Sequence, residues 1–458
     1  MKLSDPHSPR SLAFFILCKI EKEKQRTSSE ILSSLLEKHH PDKRDRALIT
    51  EMVMGVLRHR LFLDHIINGH LRKKRKPSYH LFQILRIGAY QILFLDRIPS
   101  HAAVNESVNM AKNLVDEKSG AFVNAILRKI ALKGDKGVTW PNREEDLIRF
   151  LSIRYSHPAW MVRDLVRLFG SNPAEELLEY NNLPAPLSLR VNLLKTTRSE
   201  VIAWIRENHP GVELDEGRYS PQCIRLKKLP LNPGWPPLKR GWVYVQDEAA
   251  QMVSLFADPK PGTRIVDYCS APGGKITHLA ELVRNRAELI ALDVDAKRLG
   301  RVRENCKRLG LHGISVMKIL PGIEEKLAKK PAQLVLVDAP CSGMGIIRRH
   351  PDLKWKKTKA DVQRLSSIQQ DILERSCRLV APGGVLVYST CTILDQENSN
   401  VIRRFLKRHP DFEIDKSLFR EEEIWRRFIT PEGFLFTFPP QTDTDGFFAA
   451  RLKKSPHC

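Results

Sequence analysis

The sequence predicts a multidomain chain: an all-α N-terminal bundle, a small α/β middle domain, and a C-terminal α/β domain built on a doubly wound parallel sheet. Three observations carry this. Apolar residues recur at three-and-four spacing through roughly the first 135 positions, the period of helices with one buried face. The stretch from about 145 to 235 mixes helical spacing with short strand-like runs. Beyond about 241, short apolar runs rich in β-branched residues alternate with helical segments, as in parallel strands covered on both faces.

The elements follow in order. Six helices are expected, around Ala13–Ile20, Ile31–Leu36, Ala47–Leu57, Phe82–Leu95, Val104–Leu114 and Ala121–Leu132. Polar breaks separate them at His40-Pro41-Asp42, Asn68-Gly69, Pro99-Ser100 and Lys118-Ser119-Gly120. Lys133-Gly134-Asp135-Lys136-Gly137 reads as a linker. The middle domain combines helices at Pro158–Phe169 and Ala174–Asn181 with strands at Leu187–Val191 and Cys223–Leu226, and ends in the proline-rich run Leu229–Pro237. In the last domain, strands are expected at Thr263–Cys269, Leu289–Val294, Ile314–Ile319, Leu334–Val337 and Val385–Tyr388. Helices are expected near Lys275–Val283, Ala296–Leu309 and Asp361–Leu379, with a closing hairpin from Gly433–Pro439 and Gly446–Leu452. The expected boundaries are 1–138, 145–238 and 241–458; at roughly 150 residues per domain, 458 residues allow two to four.

Hydrophobic residues make up 42%, too many for a wholly disordered chain. The formal net charge of +22 points to a phosphate-rich or acidic partner and says nothing about fold. Residues 1–150 carry +10 of it and residues 151–458 carry +12, so no detachable basic tail holds the excess. The densest runs are Arg72–Lys76 and Arg348–Lys359, the second with Asp352 as its one acid. The eight cysteines are scattered without a C-x-x-C pair or zinc-type histidine spacing, which argues against a disulfide framework and a structural metal. No apolar stretch approaches 18 residues, so neither a signal peptide nor a membrane span is expected, and the cytoplasm is the default compartment.

Ligands of doubly wound sheets bind beyond the carboxyl ends of the strands. The first strand of the C-terminal domain runs into Asp267-Tyr268-Cys269-Ser270-Ala271-Pro272-Gly273-Gly274-Lys275, where glycines permit close backbone approach and a helix start offers free N–H groups. Asp293 ends the second strand, placed to accept the ribose hydroxyls of an adenosine-containing cofactor. The loop is not G-x-G-x-x-G, which favours S-adenosylmethionine over a nicotinamide. The fourth strand ends in Asp338-Ala339-Pro340-Cys341-Ser342-Gly343 and the fifth in Ser389-Thr390-Cys391-Thr392. Two thiols therefore emerge on the ligand-binding edge, where a purely packing role is less expected than for Cys306 or Cys377 within helices. Asp338 could be catalytic or could cap the sheet.

These stretches, with Ala271–Lys275, resemble the RNA (cytosine-5) methyltransferases. Arg348–Trp355 and Asp445-Gly446-Phe447-Phe448 extend the resemblance over nearly the whole chain, toward the branch that modifies bacterial small-subunit (16S) ribosomal RNA. The N-terminal part resembles the NusB-like RNA-binding domain, through Arg44-Asp45-Arg46-Ala47-Leu48, Leu85–Tyr90 and Phe122–Arg128, and the middle domain is expected to be RRM-like. The resemblance implies a Rossmann-like domain that uses S-adenosyl-L-methionine to methylate carbon 5 of cytosine through a covalent cysteine adduct. It makes Cys391 the nucleophile, Cys341 the thiol that assists release, and Asp338 the group on the base edge. Cofactor contacts are implied from Cys269, Ser270, Ala271, Pro272, Gly273, Gly274, Lys275, Asp293, Arg298 and Asp338.

One departure stands out. Where the family has Gly-Asp after the third strand, this chain has Lys318-Ile319-Leu320-Pro321-Gly322, and the next acid is Glu324. Either Glu324 reaches round, or adenine is held by backbone and apolar contact. Arg348, Arg349, Lys354 and Lys356 would touch RNA phosphates, and Trp355 would stack on a base or anchor a helix. Arg190-Val191-Asn192 and Gln246-Asp247 resemble motifs near the site entrance, with structural roles equally open. The expected partner is small-subunit ribosomal RNA, without metal or membrane, bound by a monomer. The competing readings are an RNA-binding ribosome assembly factor with an inactive methyltransferase domain, and a DNA cytosine methyltransferase with Cys341 as nucleophile.

Overall fold

The computed structural model describes residues 8–23, 25–71, 77–227, 234–420 and 423–456. The basic run Arg72–Lys76, the proline-rich residues 229–233 and Cys458 lie outside them. The chain forms two compact units, Met1–Leu183 with Ile347–Lys357, and Pro184–Ile346 with Thr358–Cys458.

The first unit is helical. Pro9–Lys22, Ser28–His39, Lys43–Arg58, Arg60–His70, Tyr79–Phe94, Ser100–Leu114 and Glu117–Lys133 precede Leu147–Arg154, Ala159–Phe169 and Ser171–Tyr180. Local signals set many of the starts. Thr27 and Glu30 form a reciprocal capping box, and Asp42, Ser78 and Asp116 each accept from a first-turn N–H. Tyr79–Phe94 buries residues on every side, from Leu81 through Gln91, because the other helices pack around it. Its Arg86 is buried and held bidentately by Asp64, at 2.6 and 2.8 Å.

The expectation of six N-terminal helices is corrected to seven among the described residues. Arg60–His70 was not anticipated, and Asn68-Gly69, expected as a break, lies inside its last turn. His59 ends one helix and begins the next with no intervening turn signal. Burial of Phe62, Leu63, Ile66 and Ile67, with the Leu61 N–H donating to Ser156 Oγ at 2.8 Å, supplies what local propensity does not.

For Lys354 and Lys356 the expected phosphate contacts are also corrected. The Asp352 carboxylate, 1% exposed, accepts from Ser28 N–H at 3.0 Å and Ser28 Oγ at 2.6 Å, at the start of Ser28–His39. Lys354 is 1% exposed, and its Nζ donates to the Arg58 carbonyl at 2.7 Å and Asn182 Oδ1 at 3.0 Å. Lys356 Nζ donates to the Arg26 carbonyl at 2.5 Å and pairs with Asp352 at 3.2 Å. Trp355 packs on the helical core and donates its indole N–H to the Leu57 carbonyl at 2.7 Å, so it anchors helices. Arg348 lies over the Tyr180 ring and donates to its hydroxyl. Helix ends leave carbonyls and N–H groups without intrahelical partners, and these side chains satisfy them.

The second unit holds two sheets. In the first, β1 (Leu187–Val191), β2 (Leu214–Glu216), β3 (Cys223–Leu226) and β4 (Val243–Val245) run antiparallel in the order β2-β3-β1-β4. The second contains β5 (Arg264–Asp267), β6 (Glu288–Asp293), β7 (Ile314–Lys318), β8 (Ala332–Asp338), β9 (Val380–Thr390), β10 (Phe412–Ile414), β11 (Leu435–Phe436) and β12 (Phe448–Lys454). Its order is β10-β12-β9-β8-β5-β6-β7, with β11 on β12. The β5–β9 pairings are parallel, while β12 enters antiparallel beside β9. The chain moves outward from β5 through β6 and β7, then crosses back to β8. That reversal between β5 and β8 is the topological switch point, where such sheets leave a crevice. No helix among the described residues is long and apolar enough to cross a membrane.

Asp352→Ala is expected to destabilise the full chain by about 1–3 kcal/mol in chemical denaturation, because it strips a buried cap and leaves Lys356 unmatched. Lys354→Met and Lys356→Gln should leave the salt dependence of RNA binding unchanged. A fall of about 0.7–0.9 in the log–log slope per residue removed would instead place them on phosphates.

Candidate active site

The carboxyl ends of β5, β6, β8 and β9 converge on one edge of the large sheet, and each delivers a loop. After β5, the Ser270 N–H donates to the Leu292 carbonyl at 2.9 Å and the Gly273 N–H to the Ser270 carbonyl at 2.7 Å. Gly273 has φ +101°, a conformation that favours glycine, and the helix Gly274–Leu282 starts immediately after it. Ala271-Pro272 is a cis peptide. The loop is further held by Arg298, which donates to the Ala271 carbonyl at 2.5 Å, and by Asn305, which donates to the Pro272 carbonyl at 3.1 Å.

Asp293 is 4% exposed; its Oδ2 accepts from the Ala271 N–H at 3.1 Å and its Oδ1 from the Asp295 N–H at 3.0 Å. Each oxygen keeps a second lone pair. Arg298 stands 3.8 Å from this carboxylate and is half exposed, so its observed part is to brace the loop and Asp293. Cys269 is half-buried, and burial pushes its thiol well up. Glu324, considered for adenine, has its carboxylate taken by the Tyr268 hydroxyl and by Arg375, at 2.6 Å. Leu320 is 54% exposed, leaving an apolar surface where the family has an acid.

At the end of β8, Asp338 accepts from Lys275 Nζ at 2.5 Å through Oδ2 and from Ser389 Oγ at 2.9 Å through Oδ1. Lys275 therefore links the β5 loop to the acid of the β8 loop, with its ammonium 5.2 Å from the centre of the Phe447 ring. Sequence reasoning placed Lys275 only among cofactor contacts. The two thiols lie together: Cys341 Sγ and Cys391 Sγ are 3.2 Å apart. The hydrogen bond to Cys391 and burial both raise the Cys341 pKa well above the usual thiol range.

A backbone interlock closes the site. The Gly345 N–H donates to the Cys391 carbonyl at 3.0 Å, and the Gly446 N–H donates to the Gly345 carbonyl at 2.8 Å. A Cβ on Gly345 would lie 1.9 Å from the Gly446 carbonyl oxygen, so the two segments meet only because side chains are absent. This gives Asp445-Gly446-Phe447 its place beside the thiols. The Arg190 motif takes a structural part. Fully buried, Arg190 pairs with Glu281 at 2.8 Å and donates to the Gly274 carbonyl at 2.6 Å, tying β1 to the start of Gly274–Leu282. Asp247 Oδ1 caps Glu248–Ala257 and accepts from the Asp445 N–H at 3.0 Å.

One residue at the site was missed. Asp267, the last residue of β5, is fully buried, and neither carboxylate oxygen has a hydrogen-bond partner among the described residues. Burial, with the charges of Asp338 and Asp293, lifts its pKa to about 7, against the pull of the nearby Ser270 hydroxyl and the Lys275 ammonium. The available signal was an acid ending an otherwise apolar buried strand at the ligand edge. No group of three or more metal-ligating side chains occurs among the described residues.

Comparisons with known proteins agree with this architecture. Residues 254–453 match the family described as 16S rRNA methyltransferase RsmB/F, residues 7–132 match the NusB family, and residues 157–230 match an RsmF/B-like ferredoxin-like domain. A probable ribosomal RNA small subunit methyltransferase B of Bacillus subtilis is 35% identical, over 98% of this chain and 99% of its own length. Ribosomal RNA small subunit methyltransferase B of Proteus mirabilis is 34% identical over 92% of each chain. The crystal structure of PH0851 superposes with a TM-score of 0.78 at 28% identity, covering 99% of this chain and 100% of that one. NSun6 from Pyrococcus horikoshii, solved with SFG, shares the fold at a TM-score of 0.57 and 21% identity, over 65% of this chain and 98% of its own. With its NusB, ferredoxin-like and methyltransferase parts in this order, the chain belongs to the small-subunit ribosomal RNA methyltransferase B family.

Proposed function

We propose that this enzyme methylates carbon 5 of a cytosine in small-subunit ribosomal RNA, with Cys391 as nucleophile and S-adenosyl-L-methionine as methyl donor. The observation that carries the reading is the pair of thiols 3.2 Å apart at the ends of β8 and β9, beside Asp338. The residues present also fit the cofactor: it is a cation, and the orphaned Asp267 carboxylate offers a buried partner for positive charge at the end of β5. Asp293 retains lone pairs for ribose hydroxyls, and Ile319 and Leu320 offer adenine apolar contact. When bound, the cofactor supplies an electrophilic methyl on a sulfonium sulfur.

The protein's work is to make carbon 5 nucleophilic. A cytosine splayed from its stack presents carbon 6 to the Cys391 sulfur, at an unstacking cost of a few kcal/mol. Addition forms the S–C6 bond and moves the ring's electron pair toward carbon 5. Asp338, oriented by Lys275 and Ser389, meets the base edge near ring nitrogen 3 and holds a proton there, which neutralises the negative charge that addition pushes into the ring. After methylation a water molecule takes the proton from carbon 5, the C5–H electron pair re-forms the C5=C6 double bond, and the S–C6 bond breaks with its pair going to Cys391 as a thiolate. Cys341, 3.2 Å from Cys391, can hydrogen-bond the departing sulfur through its S–H and stabilise it as a thiolate. The likeness of Thr390-Cys391 to the Thr-Cys motif of the RNA enzymes favours Cys391 as nucleophile over the exchanged roles.

Cys391→Ala is expected to reduce transfer of labelled methyl groups to undermethylated small-subunit RNA to background, and Cys341→Ala to accumulate a protein–RNA adduct that survives denaturing electrophoresis. Near wild-type methylation by Cys391→Ala would overturn the assignment. Intact cofactor binding without incorporation by the wild-type protein would favour the assembly-factor reading.

Asp267 gives a pH signature. Its folded-state pKa of about 7 lies above its unfolded value, so the carboxylate becomes charged only as pH rises through about 7. Cofactor affinity measured by calorimetry should therefore strengthen between pH 6 and 8, and Asp267→Asn should weaken binding and flatten that dependence. By the same linkage the cofactor-free protein loses stability as pH rises toward 7, and Asp267→Asn should melt higher than wild type at pH 8. Equal pH dependence in both proteins would remove Asp267 from the cofactor site.

A further inference from the structure

Cys341 and Cys391 lie fifty residues apart in sequence on loops after different strands, and neither loop has regular structure that would set their spacing. Transition-state geometry tolerates little error, since a displacement of about 1 Å can cost 100-fold in rate. Something must hold the loops. Glu397 and Asn398 stand beyond the Cys391 loop and touch neither thiol in a direct hydrogen bond, yet each grips the backbone or side chains that flank one of them.

Glu397 is fully buried. Its Oε1 accepts from the Ser342 N–H at 2.8 Å and from Gln369 Nε2 at 3.0 Å, and its Oε2 accepts from the Ser342 hydroxyl. Ser342 directly follows Cys341. Gln369 also donates to the Pro340 carbonyl at 2.9 Å, so the carboxylate and the amide hold the Cys341 loop from both sides. Asn398, 3% exposed, does the same for the other thiol: its Oδ1 accepts from Thr390 Oγ1 at 2.6 Å, and its Nδ2 donates to the Thr392 carbonyl at 2.8 Å. Those two threonines flank Cys391. The halves are joined by a 3.0 Å hydrogen bond between the Ser342 and Thr392 hydroxyls, and the Tyr388 hydroxyl anchors the dipeptide by donating to the Glu397 carbonyl at 2.6 Å.

A buried carboxylate is expensive unless its lone pairs are met, and here they are met almost entirely by the Cys341 loop. We infer that Glu397-Asn398 is a positioning element that holds the Cys341 loop against the Cys391 loop and so sets the thiol–thiol approach on which release of the covalent adduct depends. Neither residue touches the reacting atoms. The role is geometric: the carboxylate acts as an acceptor of several hydrogen bonds, and an amide of the same shape can replace most of them.

The inference rests on the proposed roles of the two thiols, so its test includes a readout independent of catalysis. In the full-length protein, oxidised glutathione converts the thiol pair to a disulfide with release of two reduced glutathiones, at a rate that reports how often the sulfurs meet. Glu397→Ala should slow formation of the Cys341–Cys391 disulfide by about ten-fold or more, lower kcat with unchanged cofactor affinity, and accumulate the RNA adduct as Cys341→Ala does. Glu397→Gln should stay within about three-fold of wild type in all three measurements, since it retains the shape and most acceptors. Ser342→Ala, which removes one hydroxyl and keeps the backbone contact, should fall between them and serves if Glu397→Ala does not fold. Wild-type disulfide and adduct kinetics in Glu397→Ala or Ser342→Ala would overturn the inference, as would equal losses in Glu397→Gln and Glu397→Ala. If Cys391→Ala still methylates RNA while Glu397→Ala slows disulfide formation, the assignment of thiol roles fails and the positioning element stands.

Discussion

The active edge of this protein is governed by an imbalance of charge. Asp267, Asp293 and Asp338 end β5, β6 and β8 side by side, and the cations that meet them directly are the Lys275 ammonium on Asp338 and, more loosely, Arg298 near Asp293. Parallel strands that all finish at one edge force these acids together, and burial raises the energy of the one left without a partner. An excess of negative charge at one sheet edge is a poor contribution to stability and a good receptor for a cation. The rest of the site can be understood as what keeps this arrangement in register: the glycine turn at Gly273, the Arg298 brace, and the Arg190 clamp on the Gly274 carbonyl.

The same economy appears in the thiol pair. Two sulfurs at hydrogen-bond distance cannot ionise equally, because a proton held on one stabilises a thiolate on the other. Cys341 sits in the hydrogen-bonded loop of Ser342 and Glu397, where its contact with Cys391 and its burial raise its pKa. Neither feature depends on a long-range field. Both follow from which loop is buried and what it is bonded to.

Basic residues illustrate how charge in a sequence can mislead. Six of the twelve positions from Arg348 to Lys359 are basic, and in sequence they read as a substrate track beside the Cys341 loop. In the structure the Lys354 ammonium meets a helix-end carbonyl, the Lys356 ammonium meets the Arg26 carbonyl and Asp352, and Trp355 packs against the helical core. A buried lysine is tolerated here because its ammonium meets the Arg58 carbonyl and the Asn182 side-chain oxygen, which is a property of three-dimensional placement alone. The net charge of +22 still belongs to a protein that acts on RNA, but its densest described cluster is spent on folding.

By itself the sequence determined the order of the three parts, nearly every strand of the large sheet, and the loops that carry Cys341, Cys391, Asp338 and the glycine turn. Those features are written in local periodicity and in motifs whose residues sit close together along the chain. Tertiary structure alone decided the extra helix Arg60–His70, which follows its predecessor with no turn signal between them, and the burial of Lys354 and Lys356. It also decided the bond from Lys275 to Asp338, the isolation of Asp267, and the grip of Glu397-Asn398 on both thiol loops. Most of these depend on groups tens to hundreds of residues apart meeting in the folded chain. Whether a charge is partnered there is settled by packing, and periodicity along the chain does not record it.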